Sequence, residues 1–123
     1  MGQTRIINIL SMNIQKGNVL IAEFMDNWTD NGQEPAYYVY KHKGYESHEL
    51  LFHESWDWLM PVVNKIHPLL DNGRGFIEYI DGEWWTNFQH IASYNSKISM
   101  IDSVWNAVVL FIKQYNYDKR RNY

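Results

Sequence analysis

The chain has 123 residues, 46% hydrophobic, 16% aromatic and 20% charged, and no cysteine. Six Trp, nine Tyr and five Phe are ample core material, which excludes a disordered chain, and zero Cys excludes a disulfide framework, thiolate metal sites and cysteine catalysis. The net charge of −3 hides an asymmetry: seven basic and thirteen acidic groups lie in the first 112 residues, while from Lys113 onwards four basic residues accompany one acid. An acidic body disfavours broad binding to nucleic acid, whose phosphates need a basic surface.

The amino terminus leads into Ile6–Ile14, broken by Asn8, Ser11 and Asn13. That pattern is not the unbroken apolar core of a secretory leader, and Ile6 stands where a myristoylation motif requires Ser or Thr. No apolar run reaches the roughly 20 residues of a membrane helix. The expectation is a cytoplasmic protein, in which the Asn27-Trp28-Thr29 sequon carries no meaning.

The first helix is predicted over residues 13–25, where Ile14, Leu20, Ile21 and Phe24 recur at helical spacing and Asn18 caps a late start. Residues 26–35 hold Asn, Asp, Gly and Pro and read as a loop. Residues 36–42, with Tyr37, Tyr38, Val39 and Tyr40, favour a strand that turns at Gly44 and returns over 47–52. Ser55 and Asp57 mark the start of a second helix, with Leu59, Val62 or Val63, Ile66 and Leu69 or Leu70 as its apolar stripe. Pro61 either kinks its first turn or is itself the effective start, and Asp71-Asn72-Gly73 stops it.

Residues 76–80 and 83–89 flank Asp81-Gly82, a pair preferred by the two-residue type I′ hairpin. That turn sets Ile80 opposite Glu83, Tyr79 opposite Trp84 and Glu78 opposite Trp85. Ile77, Tyr79, Trp84, Thr86 and Phe88 then share the face expected to be core, while Phe76, Glu78, Ile80, Glu83 and Trp85 share the other. A last helix is predicted over 97–115 with Ser96 as cap and Ile98, Ile101, Trp105, Val108, Ile112 and Tyr115 as its stripe. The chain reads as a single α+β domain over residues 1–123 in the order α-β-β-α-β-β-α, an antiparallel sheet packed against helices, with a short basic tail at about 117–123.

The residues that carry chemistry form few patterns. The five histidines show no metal-binding spacing. His53, Ser55 and Asp57 lie together without the glycines of a nucleophile elbow, and capping explains the last two. Neither catalytic, metal nor cofactor-binding residues are expected. The outer hairpin face offers Phe76, Ile80 and Trp85 rimmed by Glu78 and Glu83: either a protein-binding patch or a face covered by another helix. Lys119, Arg120 and Arg121 form a second candidate contact, for phosphate or an acidic partner, or else a solvated end.

His53-Glu54-Ser55-Trp56-Asp57-Trp58-Leu59-Met60-Pro61-Val62-Val63-Asn64-Lys65-Ile66, with the segments 20–25 and 106–112, resembles a family of small proteins of unassigned activity from phages and prophages of Bacteroidetes. Asp26 stands where members of that family usually carry Gly. The resemblance implies a phage-type protein and carries over no catalytic residue, and with no catalytic constellation in the chain the expectation is a non-enzymatic binding protein. Its most concrete form is an anti-CRISPR inhibitor of the RNA-targeting type VI-B effector or its guide-RNA complex, with another host-protein or nucleic-acid binding role as the alternative and a small hydrolase the remotest.

Overall fold

The computed structural model describes residues 2–26, 49–70, 75–89 and 91–121. These residues form a mixed α+β fold with three helices and a three-stranded antiparallel sheet. Two compact units, Met1–Leu51 and Phe52–Tyr123, make up the chain. The loop 26–35, the strand predicted over 36–42, the Gly44 turn and the helix stop at 71–73 fall largely or wholly outside the described residues, as does the sequon.

In the first unit, helix α1 spans Gly2–Asp26, eleven residues earlier than predicted. The polar breaks at Asn8, Ser11 and Asn13 interrupt an apolar run but are compatible with helical periodicity. Asn18 is therefore not a cap. It lies mid-helix, fully buried, and its side-chain Nδ2–H donates to the Leu50 carbonyl at 3.1 Å. That bond takes up a carbonyl of the segment predicted as a returning strand, and 49–52 form no strand. Burial on α1 raises the Glu23 carboxyl above its ordinary value, so its share of stability is largest in acid and fades as the pH climbs past the ordinary carboxylate range.

The second unit opens with Phe52, buried and edge-on to Trp58 at 5.1 Å between ring centroids. Helix α2, Trp56–Ile66, runs on into a 3-10 turn at His67–Leu69. Leu59, Val62, Ile66 and Leu70 are buried, while Leu69 is exposed. The helix begins at Trp56 and continues through Pro61, whose missing N–H deprives the Asp57 carbonyl of its usual helical donor. Ser55 occupies the N-cap position with extended backbone, yet its hydroxyl makes no capping bond. Its own carbonyl accepts the Trp58 N–H at 3.1 Å, the donor a capping hydroxyl would take, besides the ordinary first helical bond from Leu59 at 3.0 Å. Replacing a bonded N-cap Ser by Ala costs roughly 0.5–2 kcal/mol. Ser55→Ala is expected to cost less than about 0.5 kcal/mol, to be checked by urea denaturation.

Strands β1 (Gly75–Ile80) and β2 (Glu83–Phe88) pair in the predicted register, with Ile80 opposite Glu83, Tyr79 opposite Trp84 and Glu78 opposite Trp85. Asp81 and Gly82 both have positive φ (51° and 81°), as a type I′ turn demands. Gly75 sits opposite Phe88 where a Cβ would come within 3.2 Å of the Phe88 ring and 3.3 Å of Leu70, so the missing side chain makes room for both. The chain then turns at Gln89 (φ 53°) into a strand the sequence reading lacks, β3, Ala92–Ser96, on the far side of β2.

Helix α3, Met100–Arg121, lies across β2 and β3. It starts three residues later than predicted. Ser99, not Ser96, caps it, accepting the Asp102 N–H at 3.1 Å, and Ile98, outside the helix, is 83% exposed instead of lying in the core stripe. Ser96 serves the preceding turn: its hydroxyl accepts from the Ile98 N–H and donates to Asp102 at 2.6 Å. The helix also continues to Arg121, so most of the expected basic tail is its last turns. Val104, Trp105, Val108, Phe111 and Ile112 are buried, and Phe111 packs edge-on to Phe88 at 6.1 Å.

A buried pair of hydroxyls joins this helix to the sheet. Ser103 donates its hydroxyl proton to the Tyr94 carbonyl at 3.0 Å, so at 2.7 Å from Thr86 its oxygen must accept the Thr86 proton. Both side chains are buried, and an orphaned buried hydroxyl costs about 1–3 kcal/mol. Thr86→Val and Ser103→Ala should each destabilise, and the double variant should cost at least about 0.5 kcal/mol less than the two together. Additive losses in denaturant melts would show that the hydroxyls act separately.

Candidate protein-binding face of the sheet

The hairpin distributes its side chains by parity. Ile77, Tyr79, Trp84, Thr86 and Phe88 lie on the inner face, where α3 packs. Thr86 and Phe88 are buried there as expected, but Ile77 and Tyr79 are not core: Tyr79 is 60% exposed. The reason is coverage. Helix α3 spans β2 and β3, and β1 projects beyond it, so Tyr79 leans on its cross-strand neighbour Trp84, at 4.8 Å between rings.

On the outer face Phe76, Glu78 and Ile80 of β1 lie beside Glu83 and Trp85 of β2. Phe76, Ile80 and Trp85 are 48%, 45% and 41% exposed. Trp85 is directly opposite Glu78 and diagonal to both Phe76 and Ile80, within the reach of an aromatic ring across neighbouring strands. On its other side stands Asn95 of β3, whose amide donates to Glu83 at 3.0 Å and fixes that carboxylate at the edge of the apolar group. Asp81 adds a third carboxylate at the turn, and the sequence from Gly75 to Ser96 contains no Lys or Arg. The surface is an apolar patch in an acidic frame.

The sheet separates this patch from the other candidate contact. Lys119 lies on α3, the helix packed against the inner face, and its ammonium stands 5.8 Å from the Tyr115 ring centre. Arg120 and Arg121 fall in the same final turn, with their side chains outside the described ones. Cations at a helix C-terminus complement its dipole, a structural use that needs no partner. Asn95 and β3 were missing from the sequence reading, because 92–96 offer little β-propensity to find them by.

Of the other candidates, His53 stands with Nε2 at 3.5 Å from Glu54, its neighbour in the chain. Among the described residues no group of three His, Asp or Glu is placed to hold a metal ion, and no helix is long and apolar enough to cross a membrane. Comparison with protein-family models, curated proteins and solved structures found no match.

Proposed function

We propose that the protein is a non-enzymatic binding protein that docks the outer face of its sheet onto a basic protein surface. The observation that supports this is the grouping of Phe76, Ile80 and Trp85, each more than two-fifths exposed, inside the frame of Glu78, Asp81 and Glu83. Large apolar side chains that stay accessible on one face, with charges at the rim, have the anatomy of a protein contact. The carboxylates select the sign of the partner and speed encounter with it.

The resemblance to phage-borne proteins directs the choice of target towards host defence, and the acidic frame towards a protein that itself binds RNA. An RNA-targeting type VI-B effector combines the two, since a channel that holds guide RNA must be basic. The proposed activity is inhibition of that effector or of its guide-RNA complex by occupation of this surface. The test is RNA cleavage by the purified effector, titrated with the protein. Loss of cleavage near one equivalent is the expected result, and full cleavage at a large excess overturns the assignment. Charge reversal at Glu78 and Glu83 should slow association and weaken its dependence on salt.

A further inference from the structure

Among the described residues strand β1 is an edge of the sheet, whose order is β1-β2-β3, and it carries apolar side chains on both sides, Phe76 and Ile80 outward around Glu78, Ile77 and Tyr79 inward, all four exposed. Of the usual protections of an edge it keeps a single charge, Glu78, on the outer face. It contains no Lys, no Pro and no bulge in its pairing with β2, whereas the opposite edge, β3, presents Ser93, Tyr94 and Asn95. The turn also dictates which backbone groups are free. In a two-residue hairpin Ile80 and Glu83 form the hydrogen-bonded pair that closes the turn, so Ile80, Glu78 and Phe76 bond to β2. The N–H and C=O groups of Gly75, Ile77 and Tyr79 then point away from the sheet.

We infer that this edge pairs with β1 of a second copy of the chain, antiparallel about a two-fold axis at Ile77. A two-fold perpendicular to the sheet keeps inner residues opposite inner residues, which allows only registers centred on a single residue. Centred on Glu78, the pairing sets Glu78 against Glu78, and like charges directly opposite are destabilising. Centred on Ile77, it sets Ile77 against Ile77, Phe76 against Glu78 and Gly75 against Tyr79. No charges lie directly opposite one another in this register, and each Phe76 faces a Glu78 across the seam. The outward backbone groups of Gly75, Ile77 and Tyr79 all find partners in this register. A sheet extended past β1 also explains the overhang of Ile77 and Tyr79 beyond α3: the two inner faces meet there, side by side. The inference stands on the strand itself and not on the function proposed above.

A pair of six-residue strands gives a contact at the small end of specific interfaces, so association is expected between roughly 1 μM and 1 mM. Sedimentation velocity over that range should show the mass of the intact chain double. Ile77→Pro removes an N–H that points away from β2, so it should leave the hairpin paired, with an unchanged circular dichroism spectrum, and hold the protein monomeric throughout. The absence of native cysteine allows a second, independent readout. Opposed Cα atoms of a hydrogen-bonded pair are about 5.5 Å apart, within disulfide reach. Ile77→Cys should therefore cross-link to a dimer under diamide, and Glu78→Cys should not. A wild-type monomer at the highest concentration, a dimer that survives Ile77→Pro, or stronger cross-linking through position 78 than through 77 would each overturn the inference.

Discussion

Trp105→Ala is expected to lower the free energy of unfolding by about 3–5 kcal/mol, the usual cost of emptying a large buried site. Trp105 is 8% exposed on α3, among Val104, Val108 and Val109, all buried. Its removal withdraws a large apolar area from the core and leaves a cavity that a helix already packed on two strands is poorly placed to close. Trp85→Ala is the internal comparison. Trp85 is 41% exposed on the outer face, so its truncation forfeits only part of that area and opens no enclosed void. Urea melts of the two variants should separate by at least about 2 kcal/mol. Equal losses would mean that the outer face is covered in solution.

The same Trp85→Ala variant should be the most damaging to partner binding. An aromatic at the centre of a contact patch typically costs at least about 2 kcal/mol on truncation, or about 30-fold in affinity. Truncation after Asp118 removes Lys119, Arg120 and Arg121 but leaves the sheet face intact. Its effect should be smaller, and it should vanish at high salt if those residues touch guide-RNA phosphates, because such contacts depend on counterion release. The measurement is the concentration of each variant, verified as folded, that halves RNA cleavage by a type VI-B effector. A larger effect from the truncation would move the contact to the end of α3.

These contrasts follow how far the sequence could be read. Asp81-Gly82 specifies its own turn, and parity propagates the register from it, so the opposition of Glu78 and Trp85 needs no tertiary information. The extent of cover on each face is tertiary. Thr86 and Phe88 lie under α3 while Ile77 and Tyr79, on the same face, do not, because a helix of fixed width reaches two of the three strands. Strand β3 was invisible for a related reason. Ala92, Ser93, Asn95 and Ser96 have little intrinsic preference for a strand, and the segment is extended because β2 offers it a partner and Ser103 a bond to the Tyr94 carbonyl. At the start of α3 the signal was present but ambiguous. Ser96 and Ser99 both lie before the apolar stripe, and only Ser99 has an acid three residues on, Asp102, whose N–H it accepts. Ser55 is the converse case, a favoured residue in the right place whose own carbonyl performs the task.

The hydroxyl contact between Thr86 and Ser103 has a consequence for the uniqueness of the fold. A helix that meets a sheet through apolar groups alone can turn about its axis or slide along it at modest cost, since one oily surface resembles another. Turning α3 by one residue, about 100°, would carry Asp102 or Val104 to the place of Ser103. The first would press a carboxylate towards the core, and the second would strand the Thr86 hydroxyl against a methyl group. Two protons shared between a helix and two strands thus act as a dowel: they add little to the strength of the joint, but they admit a single angle of assembly.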